Sequence, residues 1–167
     1  PVRPIDVRDY NSVYDVMGTE IVSGEVNYLF SGAGALFVVD PKTGKPEDFL
    51  QLPIERSLAM VDINLIGQMN VLHAFLNVVR ECKARGNVVV VSSIASSIPC
   101  GPVHAVYAAT KAAVSKLAKD LSSISPDVRI NVVSPGSMRT NIGGWDLDFA
   151  PLPTGLEAVK KGQDADF

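Results

Sequence analysis

Apolar residues along this chain recur in two alternating rhythms: short β-branched runs, and longer stretches with three- and four-residue steps. The first rhythm marks strands and the second marks one face of a helix. Pro4-Ile5-Asp6-Val7 reads as the end of a strand. Asn11-Ser12 leads into a helix that turns Val13, Val16 and Met17 inward and closes before Ser23-Gly24. Val26 to Phe30 is the next short apolar run, and the small residues Ser31-Gly32-Ala33-Gly34 break it into a tight loop. Asp40-Pro41-Lys42-Thr43-Gly44-Lys45-Pro46 is a polar turn segment, expected to be exposed. From Ile54 to Lys83 the spacing predicts a long helix, with Leu58, Val61, Leu65, Met69, Leu72, Leu76 and Val79 on its apolar stripe and Gly86 as its stop. Val88 to Val91 is a continuous β-branched run, the mark of a strand covered on both faces. A loop rich in Ser, Pro and Gly runs from Ser92 to Pro102. The next helix spans Val106 to about Ser123, with Ala109, Ala113, Leu117 and Leu121 on one stripe. Ile130 to Val133 reads as another buried strand, ended by Pro135-Gly136, and Ser137 to Phe167 is weakly patterned.

Strands alternating with helices predict an α/β fold: a doubly wound parallel sheet with helices on both faces, in one domain over residues 1–167. Ligands of such sheets sit at the C-terminal ends of the strands. Ser31 to Gly34, Ser92-Ser93 and Pro135-Gly136 each follow a strand directly, so the topology gathers them in one place. Composition changes this picture little. With 47% hydrophobic residues, the chain can pack a core. A net charge of −3 gives no reason to expect nucleic acid or an anionic membrane as partner. No apolar run approaches the roughly 20 residues of a membrane helix. Cys82 and Cys100 are too few for a disulfide framework and lack metal-ligand spacing, so no metal and a reducing, cytoplasmic setting are expected.

The chemistry concentrates in Tyr107-Ala-Ala-Thr-Lys111. Residues four apart lie on one helix face, about one turn away from each other. An ammonium near a phenol favours phenolate, so Tyr107 is expected to have its pKa lowered from about 10 and to pass a proton at neutral pH. A serine fixed at a strand end can hold the oxygen that gains or loses that proton. Ser93 fits this role better than Ser92, because adjacent strand residues point to opposite faces.

Together these residues resemble the Ser, Tyr-x-x-x-Lys pattern of the short-chain dehydrogenase/reductase family, over about Pro4 to Ile142. The resemblance implies an incomplete Rossmann-like domain with three α/β/α layers. It implies an oxidoreductase that moves hydride between NAD or NADP and a small-molecule carbonyl or alcohol. Tyr107 would be its general acid/base, Lys111 would bond the nicotinamide ribose, and Ser93 would position the substrate oxygen. Asn64, in Val61-Asp62-Ile63-Asn64-Leu65-Ile66-Gly67, is similar to the asparagine that kinks the family's long helix and extends a proton relay through a water. Ser31, Gly32, Ala33 and Gly34 resemble the family's Asn-Asn-Ala-Gly loop against the cofactor, with both asparagines missing. Asp6-Val7 resembles the pair that bonds adenine. Pro135, Gly136 and Thr140 match the loop that meets the nicotinamide carboxamide. The serine-to-tyrosine gap is one residue longer than is usual, which places an insertion between Ser96 and Val103.

The family's glycine-rich pyrophosphate turn, Gly-x-x-x-Gly-x-Gly, has no counterpart in this sequence. The chain therefore reads as part of a longer protein, with residues 137–167 beginning a substrate-covering segment. Homodimers or homotetramers are expected, through the long helix and the helix after Tyr107. The rival reading is a binding or scaffold protein that kept the fold and lost the cofactor. The substrate is not legible in these residues.

Overall fold

The computed structural model describes residues 3–22, 27–138 and 142. Strands β1 (Tyr28–Ser31), β2 (Gly86–Val91) and β3 (Val128–Val133) form a parallel sheet in the order β1-β2-β3. Leu29, Val88 and Ile130 lie in one row across it, and Ser31, Val90 and Val132 lie in another. Both rows face the helices, because side chains along a strand alternate between faces. Helices α1 (Tyr10–Val22), α3 (Gln68–Glu81) and α4 (Ala105–Leu121) supply the other half of the core. Phe75, Leu72, Val78 and Val79 from α3 meet Val88 and Val90 from β2, with Val114 and Ala118 from α4 beside them.

The opposite face of the sheet carries no helix among the described residues. Tyr28 and Phe30 there are 71% and 72% exposed, and Val133 is half open. Of the three expected layers, these residues supply the sheet and one layer of helices. The strand expected to be buried at Ile130–Val133 is last in the sheet order among the described residues, and the open face leaves its alternate side chains in solvent.

Several local expectations shift. Residues 4–7 form no strand; they run as irregular chain into a turn at Val7-Arg8. The cap of α1 is Asp9, whose Oδ1 accepts the N–H groups of Asn11 (3.1 Å) and Ser12 (3.2 Å). Val26 lies outside the described residues. The long helix is continuous from Ile54 to Glu81 but has three parts: α2 (Ile54–Val61), a π-helical stretch (Asp62–Gly67) and α3. Leu58, expected inward, is exposed, because the wider π turn shifts the residues before it against the stripe of α3; Met69, within α3, is exposed as well. In α4 the buried face is Thr110, Lys111, Val114, Ser115 and Ala118, displaced by about one residue from the predicted stripe. The helix stop is Lys83, not Gly86. Lys83 has φ 52°, its N–H bonds the Arg80 carbonyl, and the next N–H, of Ala84, reaches back to Val79. Gly86 opens β2, where a Cβ would sit 3.0 Å from Phe75 Cε1.

Candidate active site

The three strands end side by side, and so do the loops that follow them. The Ser92 N–H donates to the Val133 carbonyl (2.8 Å), and the Ile94 N–H donates to Pro135 (2.9 Å). The Pro135-Gly136 turn is thereby tied against the segment that carries Ser93. Ser93 is extended, and its Oγ accepts the Ala95 N–H at 3.2 Å, which starts a short 3-10 turn over Ile94–Ser96. The longer serine-to-tyrosine loop is taken up by this turn and a second one at Pro102–His104.

Ser92 is buried, and its hydroxyl faces away from the loop. It donates to the Lys111 carbonyl (3.0 Å) and pairs with Ser115 Oγ (2.6 Å). That bond pins α4 to the end of β2. Tyr107 is half-buried two turns from Ser115, close to the Ser93 hydroxyl. Lys111 is only 2% exposed. Its Nζ donates to the Val91 carbonyl at 3.0 Å and lies 5.7 Å from the centre of the Tyr107 ring.

The electrostatics differ from the sequence-based expectation. Burial pushes the Tyr107 phenol above its ordinary value near 10, while the Ser93 hydroxyl pulls it down. Burial also pushes the Lys111 ammonium below its ordinary 10.5. The ammonium stands over the ring and not at the hydroxyl, so desolvation outweighs the charge that was expected to lower the phenol.

Asn64 sits in the π-helical stretch, fully buried. Its Oδ1 accepts the Ala35 N–H (2.7 Å), and its Nδ2 donates to the Ala35 carbonyl (2.9 Å) and to Thr110 Oγ1 (3.2 Å). Thr110 in turn donates to the Tyr107 carbonyl at 2.7 Å. One buried amide thus links the loop after β1 to the helix that bears Tyr107 and Lys111. Gly34 allows that loop to approach: a Cβ there would lie 3.3 Å from Lys111 Nζ.

Asp6 and Val7 line a cavity of about 500 Å³ together with Ile5, Arg8, Ala33 and Ile63. The Arg8 guanidinium bonds both Asp6 oxygens, which holds the carboxyl at about 2. The Val7 carbonyl accepts from Asn70 at 3.0 Å. The side chain of Val7 presses on Gly67, where a Cβ would come within 2.5 Å of Val7 Cγ2. Gly136 is exposed, with open space where a Cβ would project. Thr140 lies outside the described residues. The described geometry therefore brings together Ser31 to Gly34, Asn64, Ser93, Tyr107, Lys111 and Pro135, with Asp6 and Val7 across the cavity from Ala33.

Three members of this network escape a reading by spacing: Gln68, Thr110 and Ser115. Each is polar, sits in an otherwise apolar helical register, and is buried. A polar residue on the inward face one turn after Asn64, Tyr107 or Lys111 is the signal that would find them.

Residues 2–146 match the short chain dehydrogenase family, and the chain belongs to that family. An 11-beta-hydroxysteroid dehydrogenase-like 2 protein from Arabidopsis thaliana is 33% identical over 120 residues, 71% of this chain and 36% of its own length. The oxidoreductase UcpA of Salmonella typhimurium is 30% identical over 138 residues, 81% of this chain and 49% of its own. Among solved structures, an alcohol dehydrogenase from the archaeon Thermococcus sibiricus, complexed with 5-hydroxy-NADP, superposes with a TM-score of 0.68. It is 26% identical, and the match covers 84% of this chain and 55% of that one. The chain spans about half the length, or less, of the curated relatives it matches.

Proposed function

We propose that the protein carrying this chain, as a partial domain over residues 1–167, is an oxidoreductase acting on a carbonyl or alcohol group of a small molecule, with NAD or NADP as cofactor. The observation that carries the reading is a half-buried phenol beside a serine hydroxyl, backed by a buried ammonium, where three parallel strands end. The alcohol dehydrogenase relative complexed with an NADP derivative supports the cofactor class.

The residues present fit one side of such a cofactor. The cavity between Asp6-Val7 and Ala33 has room for a flat base, and Gly34 leaves the backbone bare beside Lys111. Ser31 to Gly34, Asp6, Val7, Lys111 and Pro135-Gly136 would hold it. The cofactor supplies or accepts the hydride when bound. Ser93 holds the substrate oxygen, and Tyr107 gives that oxygen a proton in the reducing direction or takes it in the oxidising one. Burial raises the phenol, so Tyr107 holds its proton at neutral pH. Asn64 and Thr110 hold the loop after β1 and the Tyr107 helix in fixed relation.

Replacing Tyr107 with Phe removes the proton and keeps the ring. Turnover of the complete protein should fall by at least about a hundredfold, with binding of NADH or NADPH nearly unchanged. Steady-state kinetics and a fluorescence titration read the two quantities. Turnover within a few-fold of the parent would sink the assignment. If the parent protein binds neither NADH nor NADPH and turns over no alcohol or carbonyl compound, the reading as a scaffold that lost the cofactor takes its place.

The complete protein is also proposed to be a homodimer or homotetramer in a reducing, cytoplasmic setting. Ile54, Leu58, Ile66 and Met69 form an exposed apolar stripe along the long helix, and both cysteines are free thiols. Light scattering that returns a monomer mass at high concentration would contradict the assembly. Among the described residues, no helix is long and apolar enough to cross a membrane.

A further inference from the structure

The turn Ser31–Gly34 lacks the two amide side chains of the loop it resembles, yet it is not left unsupported. Gln68, the first residue of α3, is fully buried. The Ser31 hydroxyl donates to Gln68 Oε1, and Gln68 Nε2 donates to the Ala33 carbonyl at 2.6 Å. Asn64, four residues earlier on the same helix, holds Ala35 by both its N–H and its carbonyl. Two buried amides on successive turns therefore grip the chain from the last residue of β1 to Ala35. No buried side-chain polar atom among the described residues lacks a partner, so each oxygen and nitrogen of both amides is bonded.

The grip sets a clearance. Ala33 lines the cavity beside Asp6 and Val7, and Gly34 faces Lys111 Nζ. A turn that lifted or sank would narrow the cavity or push the ammonium. Neither Asn nor Glu can take the place of Gln68. Asn is one methylene shorter and does not span Ser31 and Ala33. Glu keeps the acceptor for Ser31 and sets an oxygen against the Ala33 carbonyl.

We propose that Gln68 is a positioning residue which, through Ser31 and Ala33, fixes the height of the cofactor-facing turn over Lys111. The identity of the ligand rests on the redox reading above, whereas the clamp is tested apart from it. Gln68→Met keeps length and volume and removes both hydrogen bonds. Without cofactor, amide hydrogen exchange at Gly32 to Ala35 should quicken by about tenfold in this variant, with the rest of the sheet unchanged. Ser31→Ala should give a smaller rise at the same amides. In the complete protein, KM for NAD+ or NADP+, whichever the parent uses, should rise by about tenfold while kcat at saturation moves less than about threefold.

Unchanged exchange at these amides in both variants overturns the clamp, even if Tyr107→Phe abolishes turnover as expected. A loss of kcat at constant KM overturns it as well. If Gln68→Met does not fold, Ser31→Ala decides by the same readings. A parent protein that binds neither NAD+ nor NADP+ overturns the redox reading, and the clamp with it as a cofactor device.

Discussion

The two ends of the sheet are built to different rules. At the N-terminal end of β2 the interior is apolar: Phe75, Val79, Val88 and Val128 close around Gly86 with no room for a further methyl. At the C-terminal end the interior is polar. Ser31, Asn64, Gln68, Ser92, Thr110, Lys111 and Ser115 are all buried there. The first end is held by removal of apolar surface from water, which tolerates approximate shapes and punishes holes. The second end is held by hydrogen bonds whose net contribution is small and whose loss is costly. The apolar end thus supplies stability, while the polar end fixes positions.

That contrast predicts opposite responses to truncation. Phe75→Ala at the apolar end should destabilise the protein by about 3–5 kcal/mol, since it removes a fully buried ring and leaves a cavity beside Gly86. Chemical denaturation reads this directly, and a loss below about 1 kcal/mol would erase the distinction between the ends.

Lys111→Met at the polar end should go the other way. The folded state depresses the Lys111 pKa below 10.5, so it disfavours the charged form. The unfolded chain binds the proton more tightly. The resulting penalty is present in full below the folded pKa and fades as pH rises toward 10.5. Removing the charge should therefore raise stability at pH 7 by about 1 kcal/mol, or roughly 2–4 °C in Tm. The gain should shrink near pH 10, while turnover falls by at least about a hundredfold. Melting curves at the two pH values and a rate assay check both halves. A lower Tm at pH 7 would mean that the bond from Nζ to Val91 outweighs desolvation, and the contrast would lose its sharpest case.

These two ends were also unequally legible in the sequence. The apolar end announces itself: the β-branched run at Val88–Val91 and the spacing of Leu72, Leu76 and Val79 specify strand and helix with little ambiguity. The motif residues Ser93, Tyr107 and Lys111 are legible as chemistry, because their types and order are unusual. The supporting polar residues are not. Gln68 and Thr110 look like solvated helix positions until the loop after β1 is seen to fold onto the first and Asn64 to reach the second. The direction of the Tyr107 shift was hidden for the same reason. Spacing puts an ammonium near a phenol, but the balance between burial and charge depends on packing from other elements. The exposed position of Leu58 traces to the π-helical stretch, whose extra width breaks a strict 3.6-residue count.

That stretch also bears on how the chain can change. A π turn holds one residue more than an α turn, so a single deletion between Asp62 and Gly67 would let the helix run straight. The segments on either side would keep their relative rotation, because the residue removed is the one the wider turn absorbs. Met60 would stay in the core, and Arg56 would keep its hold on the Val39 carbonyl. The change would fall inside the turn, where Asn64 presents its amide to Ala35 and Thr110. The extra residue is therefore spent on the direction of one buried side chain, and its loss should cost the site more than the fold.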